Sequence, residues 1–255
     1  MQKVNDPQID LTFFPIQTDR PRGSVIVCPG GGYGVLAAHE AEPIAQWLNH
    51  AGFHAFILRY RIAPHRHPAP LQDAARAVRV VRARAAELGV RGDRIGILGF
   101  SAGGHLVTTI ATHYDPGDPQ AADPVQRVSS RPDAVIACYP VISLETFAHA
   151  GCLTNLLGDD RSKRTLHDLS NDQQVTPDTP PMFLWHTAED EVVPVEQTLL
   201  MAGALSRSGV PFELHVFPQG RHGLGLGDGS SYIGASGHVA QWTKLCENWL
   251  RSLDF

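Results

Sequence analysis

The chain has 255 residues, 43% of them hydrophobic, with 21 basic against 26 acidic side chains and a net charge of −5. That length buries a sizeable core, and α/β folds of this size commonly form one domain, so a single domain over 1–255 is expected. The arginines are scattered without aromatic interleaving and no stretch approaches the ~18 apolar residues of a membrane span, so neither a nucleic-acid nor a membrane partner is expected.

The first ten residues are polar and lack an apolar signal region, which predicts a soluble, cytoplasmic protein. Candidate strands at 9–16 and 24–28 open the chain. The second runs into Cys28-Pro29-Gly30-Gly31-Gly32-Tyr33-Gly34. A phosphate-binding loop would need a following Lys-Ser/Thr or a G-x-G-x-x-G entering a helix, and both are missing. A loop offering bare amides to an oxyanion fits better, because consecutive glycines let the backbone approach a carbonyl carbon. Tyr33 either lines the acyl or alcohol pocket or shields the loop.

A helical pattern at 42–51, a strand at 54–60 and a helix at 70–88 follow. In the last, Ala74, Val78, Val81, Ala85 and Leu88 recur at helical spacing, which leaves Arg76, Arg79, Arg82 and Arg84 as a solvated face. His65 and His67 form an H-x-H without a third ligand, so no metal site is read there. The strand at 94–100 then ends in Gly99-Phe100-Ser101-Ala102-Gly103-Gly104, directly before a helix at 102–113. This is a G-x-S-x-G elbow between strand and helix, where tiny neighbours let the turn close and the serine hydroxyl stands above the sheet. The Ala102 amide, at the helix N-terminus, is a second oxyanion donor. His105, one turn on, is expected to pack against the sheet.

A strand at 134–139 is followed by an excursion, 143–180, with short helices at 154–157 and 163–169. It reads equally as a small lid or substrate wall and as a structural cover. The strand at 182–186 leads into His186-Thr187-Ala188-Glu189-Asp190-Glu191, ahead of a helix at 195–208. The strand at 212–217 leads into Gly220-Arg221-His222-Gly223, ahead of a helix at 237–253. Continuous apolar runs such as Met182-Phe183-Leu184-Trp185, alternating with helices, predict a mostly parallel sheet covered on both faces.

A serine nucleophile needs a base and an orienting acid, and in hydrolases with this elbow they come in the chain order Ser, Asp/Glu, His. Ser101, Asp190 and His222 satisfy it. His186 precedes the acid and is read as structural. Asp190 is preferred to Glu189 because its shorter side chain suits a fixed contact to a loop imidazole, which leaves Glu189 and Glu191 as solvated turn residues. Cys28, Cys138, Cys152 and Cys246 occur singly and read as small buried or incidental residues, not a disulfide framework.

With these motifs in place, the sequence resembles the α/β-hydrolase superfamily. More narrowly it resembles the small bacterial acetylxylan esterases and bifunctional feruloyl/acetyl-xylan esterases, near the hormone-sensitive-lipase-like enzymes. The stretches that carry this are 27–33, 59–61 with 63–64, 99–105, 185–190 and 220–226. The resemblance implies triad roles for Ser101, Asp190 and His222 and oxyanion roles for Gly31, Gly32 and Ala102. It implies a serine esterase that takes short acyl esters, among them acetylated xylan-derived oligosaccharides, with no cofactor. Pro29 stands where lipase-like relatives carry histidine, and no long N-terminal cap is present; both argue against a lipid substrate. A peptidase or amidase of the same fold and a non-catalytic binding module remain open at this point.

Overall fold

The computed structural model describes residues 1–229 and 237–255. Eight strands form one sheet: β1 (Gln2–Lys3), β2 (Leu11–Phe14), β3 (Arg22–Cys28), β4 (His54–Leu58), β5 (Val90–Phe100), β6 (Ala134–Cys138), β7 (Met182–Thr187) and β8 (Phe212–Phe217). Their order is β1-β2-β4-β3-β5-β6-β7-β8. β1 and β2 pair antiparallel at one edge, and every pair from β4 to β8 is parallel. The expected α/β fold with a mostly parallel sheet is present. Among the strands, only the two-residue β1, too short for a periodic signal, has no counterpart in the sequence reading.

The helices are α1 (Glu42–His50), α2 (Ala69–Ala83), α3 (Ala85–Leu88), α4 (Ala102–Thr112), α5 (Ala150–Cys152), α6 (Lys163–Asp168), α7 (Glu196–Arg207) and α8 (Gln241–Ser252). α5 runs into a π-helical turn at Leu153–Leu157. The predicted helix 70–88 is two helices, because the backbone leaves helical geometry at Arg84.

Side chains alternate across each central strand, and the two faces bury separate cores. Ile26, Cys28, Ile97, Val135, Ala137 and Leu184 join one cluster with Val78 and Val81 of α2 and Leu106 and Ile110 of α4. Val25, Val27, Leu98, Ile136, Phe183 and Trp185 join the other with Ile44 and Leu48 of α1 and Trp242, Cys246, Trp249 and Leu250 of α8. In α8 the buried residues fall at i, i+4, i+7 and i+8, one stripe of an amphipathic helix, so its docking follows from its sequence period.

The arginines of α2 correct the sequence reading. Arg76 and Arg79 are buried, 8% and 7% exposed. Arg76 pairs with Asp6 and Asp123, and Arg79 with Asp115 and the Val128 carbonyl. Arg82 donates to Asp133 and to the Gly92 and Ser129 carbonyls. The stripe opposite the sheet is covered by the 115–133 connection, whose aspartates and carbonyls satisfy guanidinium groups that would otherwise face water. Arg84, half-buried and paired with Glu87, is the most exposed of the four.

This topology fixes where a site can form. The chain leaves β3 towards β4 on one side, and β5 lies on the other side of β3, so strand order reverses between β3 and β5. A crevice opens at their carboxyl ends, the place where open α/β sheets bind ligands. Cys28 pairs with Gly99 in register, so the glycine loop after β3 and the elbow after β5 emerge side by side.

Candidate active site

Ser101 caps α4 with φ 52° and ψ −115°, a left-handed conformation costly for a residue with a side chain. Its neighbours explain how the turn closes. A Cβ at Gly99 would lie 2.1 Å from the Gly103 carbonyl oxygen, and one at Gly103 would lie 2.1 Å from that of Cys28. Any side chain at either position would force the elbow apart.

β7 and β8 deliver the other two groups from the same sheet end. The Ser101 hydroxyl donates to His222 Nε2 at 2.8 Å, and His222 Nδ1–H donates to Asp190 Oδ2 at 2.6 Å. The Asp190 carboxylate is fully buried, and its Oδ1 accepts from the Val192 and Val193 amides at 3.0 and 2.9 Å. Burial works to raise its pKa, but the hydrogen bonds from His186 and His222, the His222 charge and the Val193 amide outweigh it and hold Asp190 well below the usual carboxylate range. It is therefore a fixed anion beside the imidazole. Glu189 sits at the surface and accepts only a longer bond, 3.3 Å, from the Gly220 amide, so Asp190 is the carboxylate that meets the histidine.

His186 is fully buried and satisfied, as read from its place in the chain. Nε2 donates to the Val193 carbonyl at 2.8 Å, so Nδ1 is the acceptor, taking the Thr198 hydroxyl at 2.7 Å. The same Nε2 lies 3.3 Å from Asp190 Oδ2, which gives this structural histidine a part in steadying the acid that chain order alone could not reveal.

The glycine loop faces the elbow. Gly31 has φ 123°, and its carbonyl accepts from Gly34 and Val35, which turns the loop back on itself. Among the described residues the amides of Gly31, Gly32 and Ala102 make no hydrogen bond, and Gly30, which precedes the first two, lies against the elbow, where a Cβ would come 3.1 Å from Ser101 Cβ. Asn155 Nδ2 donates to the Gly32 carbonyl at 2.9 Å, and a Cβ at Gly32 would lie 3.8 Å from His149 Cε1. Leu144, Leu156, Leu157 and Leu169 of the excursion are buried in the core, while Asn155 and His149 lie against the glycine loop. Neither residue stands in a recognisable motif, and their part is visible only once the segment folds over β3.

Tyr33 corrects its pocket reading. It is 1% exposed, and its hydroxyl donates to His105 Nδ1 at 2.8 Å, so it anchors the loop from below and lines no pocket. His105, whose Nε2 donates to the Leu169 carbonyl at 2.9 Å, is buried as expected and its pKa is lowered to about 4 by burial.

Beside His222 lies an open cleft of about 480 Å³ lined by Glu189, Glu191, Val192 and Arg221. A larger cavity of about 760 Å³ lies along α2 and contains no residue of the serine, histidine and aspartate set. Of the two, the cleft adjoins the reactive groups.

Residues 10–205 match the family described as BD-FAE. The chain belongs to the BD-FAE family. Among relatives of this BD-FAE chain, endo-1,4-beta-xylanase B of Butyrivibrio fibrisolvens is 39% identical over 226 residues, 86% of this chain and 35% of the relative. Acetylxylan esterase of Xylanibacter ruminicola is 31% identical over 250 residues, 95% of this chain and 48% of the relative. The chain thus spans between a third and a half of these two proteins. Among solved structures, the acetyl ester-xyloside bifunctional hydrolase of Caldicellulosiruptor lactoaceticus superposes with a TM-score of 0.91 at 50% identity, covering 96% of this chain and 88% of that one. The family match ends before His222, whose place in the site rests on the geometry above.

Proposed function

We propose that this BD-FAE chain is a serine carboxylic ester hydrolase that removes short acyl groups, acetyl foremost, from xylan-derived oligosaccharides. The observation that carries the reading is the continuous hydrogen-bonded line from Ser101 through His222 to Asp190, beside three amides without partners. His222 takes the serine proton as Oγ attacks the ester carbonyl, and the Gly31, Gly32 and Ala102 amides receive the oxyanion. The imidazolium, held between Oγ and the Asp190 anion, then gives its proton to the leaving alcohol. Water activated by the same histidine releases the acid from Ser101. No step calls for a metal or organic cofactor.

The relatives named for acetylxylan and acetyl ester-xyloside hydrolysis support the substrate class. So does the cleft: the alcohol must leave on the side where His222 can protonate it, and there the lining is charged, with one valine. A sugar alcohol suits such a surface better than an aliphatic one. The test is to incubate acetylated xylo-oligosaccharides with wild type and with Ser101→Ala and to follow acetate release. The reading predicts release by wild type and a fall in kcat on the order of a million-fold in the variant. No release by wild type from any acetylated sugar overturns the substrate class.

A further inference from the structure

Glu40 closes the short 3-10 turn Ala38–Glu40 before α1, carries no part of the reaction above, and is 2% exposed. Its Oε2 accepts from the Gly30 amide, and its Oε1 from the Tyr139 hydroxyl, both at 2.7 Å. The Tyr139 oxygen in turn accepts from the Gly225 amide at 2.9 Å, so its own proton is directed to Glu40. Each Glu40 oxygen already accepts a hydrogen bond, Oε2 from the Gly30 amide and Oε1 from the Tyr139 hydroxyl, so this set fits the carboxylate, which has no proton of its own to place.

The partners sit at the two halves of the site. Gly30 begins the oxyanion loop, and a Cβ there would lie 2.7 Å from Glu40 Oε2 and 3.1 Å from Ser101 Cβ. Gly225 follows His222 by three residues, and the Tyr139 ring meets the His222 ring edge-on at 5.1 Å. Tyr139 holds φ 36°, a strained backbone in a position where its hydroxyl is bonded on both sides. His39, next to Glu40, donates to the Gly223 carbonyl at 3.0 Å and so ties the same two loops a second time.

We infer that Glu40 is a positioning residue for the hydrolytic reaction: its buried carboxylate, through Tyr139, locks the oxyanion loop to the loop bearing His222, and its charge favours the imidazolium formed there. This rests on the proposed roles of Ser101 and His222. The groups facing Glu40 are His39 on its own turn, Tyr139 and Cys138 at the end of β6, Tyr60 after β4, and His222. Burial pushes the two tyrosines and the cysteine well up, so they stay neutral, which leaves His39 and His222 as the groups that feel the charge. Burial also raises Glu40, with Tyr139, His39, the Gly30 amide and His222 opposing it.

The experiment compares Glu40→Gln and Tyr139→Phe with wild type, using p-nitrophenyl acetate and counting intact sites by phosphonate labelling. For Glu40→Gln we expect kcat to fall about 10- to 100-fold per labelled site with KM nearly unchanged. The acid limb of its kcat/KM profile should move down by roughly half to one pH unit, since a nearby anion is lost. Tyr139→Phe, which keeps the charge and loses the bridge, should lower kcat without moving the limb. An unmoved limb in folded Glu40→Gln overturns the inference, whatever its kcat. Should Glu40→Gln fail to fold, unchanged kcat in Tyr139→Phe overturns it. Activity surviving in Ser101→Ala is a different failure, that of the hydrolase reading itself.

Discussion

Two neighbouring carboxylates, Glu189 and Asp190, illustrate how much a single residue's surroundings decide. Asp190 is buried, with both oxygens occupied, whereas Glu189 is exposed. Asp190→Asn should therefore lower kcat on the order of ten-thousand-fold by favouring the wrong imidazole tautomer, while Glu189→Gln should be nearly silent. Steady-state kinetics on a short acyl ester check both, and the reverse pattern would reassign the acid. His105 makes a second residue-scale prediction. Its folded pKa of about 4 lies below the ordinary histidine value of 6.5. Between those values the unfolded chain binds more protons, so this residue's contribution is intact above pH ~6.5 and is lost as pH falls towards 4, at a cost of roughly 3 kcal/mol. Urea midpoints measured from pH 7 to pH 4 should fall more steeply for wild type than for His105→Gln, whatever their stabilities at pH 7. Equal slopes would contradict the account.

At the scale of elements, α2 shows where sequence periodicity stops being informative. The apolar stripe was legible and packs on the sheet as read. The arginines beside it were not, because their partners Asp6, Asp115, Asp123 and Asp133 lie far along the chain. Helical spacing reports which side faces the core and says nothing of a connection folding back over the other side. Arg76→Met, which leaves the buried Asp6 carboxylate without its partner, should cost about 3 kcal/mol in chemical denaturation with kcat unchanged. A cost under about 0.5 kcal/mol would mean the pair is no better than a surface ion pair. The glycine loop makes the same point about the site. Its glycines announced an oxyanion loop, yet Tyr33 within it points into the core, and the residues that brace the loop, Glu40 and Asn155, come from segments with no motif. Local backbone demands are written in neighbouring residues, whereas tertiary partners are not.

For the whole molecule, one sheet brings the ends of β3, β5, β7 and β8 to the same edge, so residues as far apart as Gly31 and His222 form one site. The order of chemical groups along the chain was legible because the fold dictates it. The site lies in an open crevice, and the cleft beside His222 is lined by Glu189, Glu191 and Arg221 with one valine. A long acyl chain thus gains little of the ~0.8 kcal/mol available per buried methylene. Across p-nitrophenyl esters of increasing acyl length, kcat/KM should be highest for acetate to butyrate and fall beyond; a steady rise with chain length would contradict this shape argument. The central claim, that Ser101 is the nucleophile activated by His222 and Asp190, is tested most directly by mass spectrometry of the protein after reaction with an organophosphonate. The account predicts one adduct, on the peptide containing Ser101, lost in Ser101→Ala and slowed severely in His222→Ala. An adduct on another residue, or labelling that persists at the wild-type rate without Ser101, would contradict it.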